Sequence, residues 1–376
     1  MGTESQQYRN AWAEIDLNKL DRNMELLKGC SAGSQVSLMA VIKADAYGHG
    51  AVEVAKRALS RGAYGLGVAL VQEGRDLREN GIESPVYVLG EIPSEAVGPA
   101  ISSNLIPCFS SWKKAREFSV RAKQTGRKVK CHLNIDTGMS RLGINYHQVH
   151  QQVEAIAGLP YVEIEGIFTH FACASELGSQ LTVLQLERFK EAVEAAESII
   201  GKIRFVHCAN SAAFIGRPGL PFNMARVGIA MYGLNPFDRP CPLGLEPVLS
   251  LKSRVALLKA VARGQTVSYC GTFRTERDSL IAVVPVGYAD GYSRLFSNKA
   301  RVIVNGKYAP VVGNVTMDQF MVDVTGLGVS VGDEVILIGQ AEDKSVTADQ
   351  LAEIMGTINY EIVCMIGPRI PRIYLT

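Results

Sequence analysis

The chain has 376 residues, with 39 lysines and arginines against 37 aspartates and glutamates, for a net charge of +2. That length suits two domains and a large core without staples, and the interspersed charges offer no basic field for nucleic acid or an anionic membrane, so small molecules are the expected partners. Eight scattered cysteines form no C-x-x-C pair and read as buried thiols in a reducing compartment rather than as zinc or redox ligands.

Residues 1–10 are polar and lack the apolar core of a signal peptide, and no apolar run approaches the ~18 residues of a membrane span. The expectation is a soluble, cytoplasmic chain with 1–7 as a tail, either whole or the catalytic part of a longer membrane protein. From 11 to about 233, apolar runs at 36–42, 64–70, 85–89, 105–109, 129–135, 161–169, 203–208 and 225–231 alternate with amphipathic segments at 51–60, 71–80, 111–125, 148–157 and 180–200. Repeated strand and helix of this kind predicts an α/β fold, a parallel (β/α)8 TIM-like barrel in preference to an open sheet, with pattern alone leaving closure open. After the turn-rich stretch 235–242, strand-like runs follow one another at 249–261, 280–286, 300–304, 309–312, 320–324 and 334–338. They are punctuated by Asn305-Gly306 and Gly332-Asp333, with one helix at 347–355. The reading is therefore a barrel domain over 11–243 and a mostly-β domain over 244–376.

In such a barrel, functional side chains collect where strands give way to loops. Lys43 follows the run 36–42 directly and precedes a glycine-flanked turn. A lysine presented there by a rigid strand loses water, which favours the nucleophilic amine that forms imines with carbonyl groups, although a strand-end lysine also snorkels readily to solvent. Asn134 and Asp136 end the run from 129, His170 and His207 end the next two, and Arg226 lies in the last. His170 alone fits a satisfied core histidine as well as a ligand. Ser211 fits an N-cap for a helix through Phe214, and a helix start also suits a phosphate. An arginine on a barrel strand is costly unless paired.

The segment Lys43-Ala44-Asp45-Ala46-Tyr47-Gly48-His49-Gly50 resembles the signature of the alanine racemase family, enzymes of fold type III that use pyridoxal 5'-phosphate (PLP). The resemblance continues through Asp136-Thr137-Gly138-Met139-Ser140-Arg141, Thr169-His170-Phe171, Asn210-Ser211, Met224-Ala225-Arg226-Val227-Gly228-Ile229, Ser268-Tyr269, Gly287-Tyr288-Ala289-Asp290-Gly291, Val312-Gly313-Asn314-Val315-Thr316-Met317-Asp318 and Asn359-Tyr360-Glu361. It implies that Lys43 carries PLP and that His170 packs on its ring. Asn210 and Ser211, the backbone at Gly228 and Ile229, and the hydroxyls of Tyr47 and Tyr360 are implied around its phosphate. Arg226 is implied on the pyridine nitrogen, where a permanent cation leaves that nitrogen unprotonated and favours racemisation over transamination.

The resemblance further implies that Lys43 and Tyr269 are the two bases on opposite faces of the substrate, with Tyr269 supplied by the other chain of a head-to-tail homodimer. The cationic surroundings such a tyrosine needs are ascribed to His170 and nearby arginines. The substrate carboxylate is ascribed to the Met317 N–H and Arg141, with Tyr288 and Tyr360 narrowing the entrance. No metal is implied.

Three positions depart from the family's pattern. Asn134 stands where many members carry a lysine carbamate, which leaves room for an anion such as chloride. Asn314 and Ser175 replace a charged pair at the entrance. The implied activity is interconversion of L- and D-alanine for peptidoglycan precursors, with serine racemase of the vancomycin-resistance type as the alternative. A PLP-dependent decarboxylase is disfavoured by Arg226, and a non-catalytic PLP-binding barrel by the β domain. A metal hydrolase built on His170 and His207 lacks a supporting ligand spacing.

Overall fold

The computed structural model describes residues 10–31, 36–217 and 219–376, so the expected tail at 1–7 lies outside them. The chain forms two compact units. One gathers residues up to Lys19, Tyr47–His49 and Glu246–Thr376, and the other holds Leu20–Ala46 and Gly50–Leu245.

The second unit is a nearly closed parallel barrel. Its eight staves are Ser37–Val41, Gly65–Val68, Val86–Val88, Ile106–Phe109, Val129–Asp136, Val162–Thr169, Phe205–His207 and Met224–Val227, and the last pairs with the first in parallel. These coincide with the eight apolar runs because each stave is covered on both faces, by the barrel interior and by outer helices. Sequences such as Gly65–Val68 and Val86–Val88 are buried at every residue. Among the described residues the seam between Phe205–His207 and Met224–Val227 has no ladder. It is bridged by the Val206 N–H donating to Asn223 Oδ1 at 2.9 Å and the Arg226 N–H donating to the Ala209 carbonyl at 2.9 Å. The predicted outer helices occur as Ala51–Ser60, Val71–Glu79, Trp112–Ala122, Val149–Ala157 and Gln180–Ile200.

The first unit is mostly β. Its main sheet runs Lys307–Pro310, Arg301–Val304, Glu334–Ala341, Leu249–Arg254, Ala11–Asp16 and Arg372–Leu375. A second sheet joins Leu257–Val261, Ser279–Val284 and Phe320–Asp323. The Asn305-Gly306 turn joins two strands of the main sheet with both residues left-handed, at φ 48° and 68°, as a two-residue hairpin of this twist requires. Residues 11–16, placed within the barrel domain from the sequence, form a strand that instead pairs with Leu249–Arg254 and Arg372–Leu375. The physical reason is its alternation: Ala11, Ala13 and Ile15 are buried while the residues between are half-buried, the pattern of a strand covered on one face. Among the described residues no helix is long and apolar enough to cross a membrane.

The cysteines divide by position. Cys108, Cys131 and Cys208 are buried thiols, whereas Cys270 and Cys364 are exposed, which corrects the uniform expectation of burial. All eight are free.

Candidate active site

Lys43 stands just past the first stave and opens a single turn, Lys43–Gly48, of unusual hand. Ala44, Asp45, Ala46 and Tyr47 have φ between 52° and 54°, a run of left-handed residues none of which is glycine. Left-handed helix costs ~1–2 kcal/mol per residue, so these four carry roughly 4–8 kcal/mol that neighbouring contacts must offset. Glu73 supplies one set of contacts. Its Oε1 accepts the Ala44 N–H at 2.6 Å while its Oε2 accepts the N–H groups of Ala69 and Leu70 at 2.8 and 3.1 Å. Asp45 Oδ1 accepts the Ala51 N–H at 2.8 Å, fixing where the next helix begins. Within the β unit, Gly48 lies so close to the last turns of the chain that a Cβ there would sit 2.3 Å from the Val363 carbonyl oxygen.

Arg226 is buried, and none of its hydrogen-bond partners is a carboxylate. Its Nη2 donates to the carbonyls of Thr169 and Cys208 at 2.8 and 3.2 Å, and lies 3.3 Å from His170 Nδ1. Its Nη1 lies 2.8 Å from His207 Nδ1, and the guanidinium stands 5.1 Å from the Phe168 ring centre. Burial pulls its pKa down to about 10, which leaves it charged at neutral pH. Arginine only donates, so both histidine Nδ1 atoms must accept. His207 then carries its proton on Nε2 and donates to His132 Nδ1 at 2.8 Å. His132 in turn carries its proton on Nε2, which has no partner. Burial and the field of Arg226 lower the pKa of His132 to about 3 and hold His207 well below its ordinary value, so this line of rings is neutral.

Burial, Arg226, Arg141 and Lys43 likewise lower His170 to about 3. The expectation that His170 adds positive charge near a catalytic tyrosine is therefore corrected: it is a neutral imidazole. Its carbonyl accepts from Gln185 Nε2 at 3.1 Å, and Gln185 Oε1 accepts the Ala172 N–H at 2.9 Å, which fixes the loop after the stave.

Ser211 does not cap its helix. Asn210 does, its Oδ1 accepting the Ala213 N–H at 3.0 Å, which frees the buried Ser211 Oγ to accept the Gly228 N–H at 3.0 Å. The N–H groups of Ser211 and Ile229 are buried and have no acceptor among the described residues. Such orphan donors are costly in a finished core and fit an anionic ligand. In the β unit, Tyr47 and Tyr360 pair with ring centres 6.1 Å apart. Burial raises the pKa of Tyr47 and pushes Tyr360 up to about 12, so both stay protonated donors.

Asn134 is buried on its stave, while Arg141 is exposed in the loop that follows. That loop is shaped by Asp136, whose Oδ1 accepts the N–H groups of Gly138 and Ser140 at 2.9 and 3.0 Å.

The remaining expected residues gather in the β unit, where Tyr269, Tyr288, Arg294 and Met317 line one open depression. Tyr269 is 71% exposed. It sits between two left-handed residues, Ser268 at φ 65° and Cys270 at φ 60°. Asn314 secures this turn: its Nδ2 donates to the Tyr269 carbonyl at 2.8 Å, and its own carbonyl accepts from Ser268 Oγ at 2.7 Å. Asn314 is buried, so it is a strut under Tyr269 rather than the entrance residue the sequence suggested. The N–H groups of Tyr288 and Ala289 donate to the carbonyls of Thr316 and Met317, both at 3.0 Å, and Gly287 has no room for a Cβ against that loop. The Met317 N–H has no acceptor among the described residues.

His132, Glu73 and Gln185 escaped the sequence reading. One signal pointed to the first: Gly166, inside a stave, where a Cβ would stand 2.6 Å from the His132 ring, and glycine within a strand marks such an approach. Glu73 and Gln185 look like ordinary polar helix positions.

Two family patterns match the chain, "Alanine racemase, N-terminal domain" over residues 15–236 and "Alanine racemase, C-terminal domain" over 248–374. The chain is 42% identical over 371 residues to alanine racemase 1 of Clostridium acetobutylicum, covering 98% of this chain and 96% of that one. Its fold superimposes with a TM-score of 0.93 on the crystal structure of alanine racemase from Bacillus anthracis with bound L-Ala-P, at 39% identity, covering 99% and 96% of the two chains. It also superimposes, at TM-score 0.91 and 28% identity over 98% and 99%, on a histidine racemase from Leuconostoc mesenteroides. One architecture thus serves amino acids with different side chains, so fold alone does not set the substrate.

Proposed function

The chain belongs to the alanine racemase family, and from that premise we propose that it interconverts L- and D-alanine with PLP as cofactor, as a homodimer whose sites each draw on both chains. The observation that carries this reading is Arg226, a buried permanent cation with no carboxylate partner, on the same barrel end as Lys43 and His170. PLP fits the residues present. Lys43 would hold its aldehyde carbon and Arg226 its pyridine nitrogen, with His170 beside the ring. The orphan N–H groups of Ser211 and Ile229, beside Gly228, would hold its phosphate. When bound, PLP withdraws electrons from the substrate α carbon and so acidifies its α hydrogen.

The chain's residues account for the rest. The Arg226 guanidinium, with its pKa at about 10, would donate a hydrogen bond to a ring nitrogen without giving up its proton. His207 and His132 fix which of its donors face inward. An arginine so placed would leave the ring nitrogen unprotonated, which favours racemisation over transamination. Lys43 then takes or gives the α proton on one face of the substrate.

The opposite face needs a second base, and Tyr269 supplies it. Its exposure on an open surface of the β unit supports presentation to a partner chain, since a catalytic phenol left in water is poorly used. The unpaired Met317 N–H is suited to the substrate carboxylate. Tyr288 restricts the passage.

Replacing Lys43 with alanine tests the assignment. Lys43→Ala protein saturated with PLP is expected to show no visible absorption band from lysine-bound cofactor and to lose racemisation by at least ~10³-fold. Retention of the band contradicts it. Turnover of L-alanine by the unaltered protein is expected to exceed that of L-serine, and the reverse order overturns the choice of substrate.

A further inference from the structure

We propose that Glu73 is the positioning residue of Lys43. Its carboxylate, on the next helix of the barrel, holds the backbone immediately after the lysine in its left-handed turn and thereby aims the Lys43 amine. The inference rests on the reading of Lys43 as a catalytic base.

Four observations converge. The residues after Lys43 occupy a conformation that alanine, aspartate and tyrosine do not adopt unaided, at φ 52° to 54°. The first of them, Ala44, is exposed, so the hydrophobic effect does not seat it. Its N–H donates to Glu73 Oε1 at 2.6 Å, a short charge-assisted bond directly C-terminal to Lys43. The other oxygen of the same carboxylate is fixed by the N–H groups of Ala69 and Leu70 at 2.8 and 3.1 Å, at the start of Glu73's own helix. Three donors from two loops therefore converge on one carboxylate, and the Lys43 turn is referenced to the rigid stave Gly65–Val68 and the helix Val71–Glu79. Glutamate is required for this: both oxygens accept, whereas glutamine offers one acceptor and sets an N–H against an N–H at the other position.

A side chain of this kind acts on proton transfer rather than on substrate affinity, because misplacing a reacting group slows the step without removing binding contacts. The test compares Glu73→Gln and Glu73→Ala with the unaltered protein, as apoprotein and as PLP-loaded holoenzyme. In both apo variants, amide hydrogen exchange of peptides covering residues 44–47 is expected to be about tenfold faster or more, with the rest of the barrel unchanged, because the Ala44 bond is lost. In the holoenzymes, kcat per bound PLP is expected to fall by about tenfold or more while KM for alanine stays within about twofold. Glutamine leaves the fold intact and should lie between the unaltered protein and the alanine variant. Unchanged exchange at 44–47 overturns the clamp, and kcat within about twofold of the unaltered protein reduces Glu73 to a structural role and overturns its action on Lys43. Lys43→Ala run alongside separates the two failures. If that variant keeps the visible band, the assignment of Lys43 is wrong, while the exchange result still judges the clamp.

Discussion

The turn that carries Lys43 and the turn that carries Tyr269 solve one problem in different surroundings. Each bends through left-handed backbone at non-glycine residues, 44–47 in the barrel's turn and Ser268 and Cys270 in the β unit's. Each is held by one polar side chain from another segment, Glu73 bonding the Ala44 N–H and Asn314 bonding the Tyr269 carbonyl. The surroundings then diverge. The barrel turn leads into buried backbone from Ala46 onward, and the barrel holds the buried Arg226 3.3 Å from His170 Nδ1. The tyrosine turn leaves its phenol 71% exposed beside Tyr288 and Met317. Buried arginine and histidine side chains gather in one unit, and an exposed phenol sits in the other. The contrast fits the proposal that each site draws on two chains.

Removing the tyrosine's base strikes this contrast hardest. Tyr269→Phe is expected to lower racemisation by ~10²–10⁴-fold, the range of general base catalysis. Because Lys43 remains on the other face, D-alanine should still exchange its α hydrogen with deuterated solvent faster than it racemises. Loss of exchange and racemisation in step would break the division of labour.

A smaller effect comes from the strut. Asn314→Ala leaves the Tyr269 carbonyl without its donor and should cost about fivefold in kcat, equivalent to ~1 kcal/mol for one hydrogen bond, with PLP absorption unchanged. A change in the absorption band would show that Asn314 acts on the barrel side instead.

The smallest effect lies in stability. His132 and His170 are held near 3 in the folded protein against an ordinary 6.5, first through burial and then through Arg226. The unfolded chain takes up these protons first, so stability should be level above pH 6.5 and fall as pH drops from 6.5 towards 3. Denaturant midpoints of the apoprotein across this range should show the decline, and His132→Asn should make it shallower. An unchanged slope would mean that His132 is not held neutral.

Much of this was legible in the sequence, for physical reasons that also explain the omissions. Barrel staves are buried on both faces and declare themselves as apolar runs, so all eight were visible. Strands Ala11–Asp16 and Arg372–Leu375 bury single faces against partners distant in the chain, and short alternation of that sort is weak without the partner. The run 249–261 is two strands, Leu249–Arg254 and Leu257–Val261, belonging to different sheets. Residues such as Lys43, Arg226 and Tyr269 could be singled out because the family's motifs surround them. The left-handed turn at 44–47 was not, since nothing in Ala-Asp-Ala-Tyr favours it locally and the contact with Glu73 at 29 residues' separation helps to hold it. Asn314 was noticed as a departure but assigned to the wrong surface, because its side chain turns inward to a backbone carbonyl that only the fold brings near.

The shared site is tested most directly by mixing two inactive proteins. Lys43→Ala and Tyr269→Phe chains, unfolded or dissociated together and reassembled in equal amounts, form hybrid dimers as half the population, and each hybrid holds one intact site and one doubly altered site. The account predicts recovery of about one quarter of the unaltered activity, from half the dimers with half their sites competent. Hybrids that form in this proportion and stay inactive would contradict it.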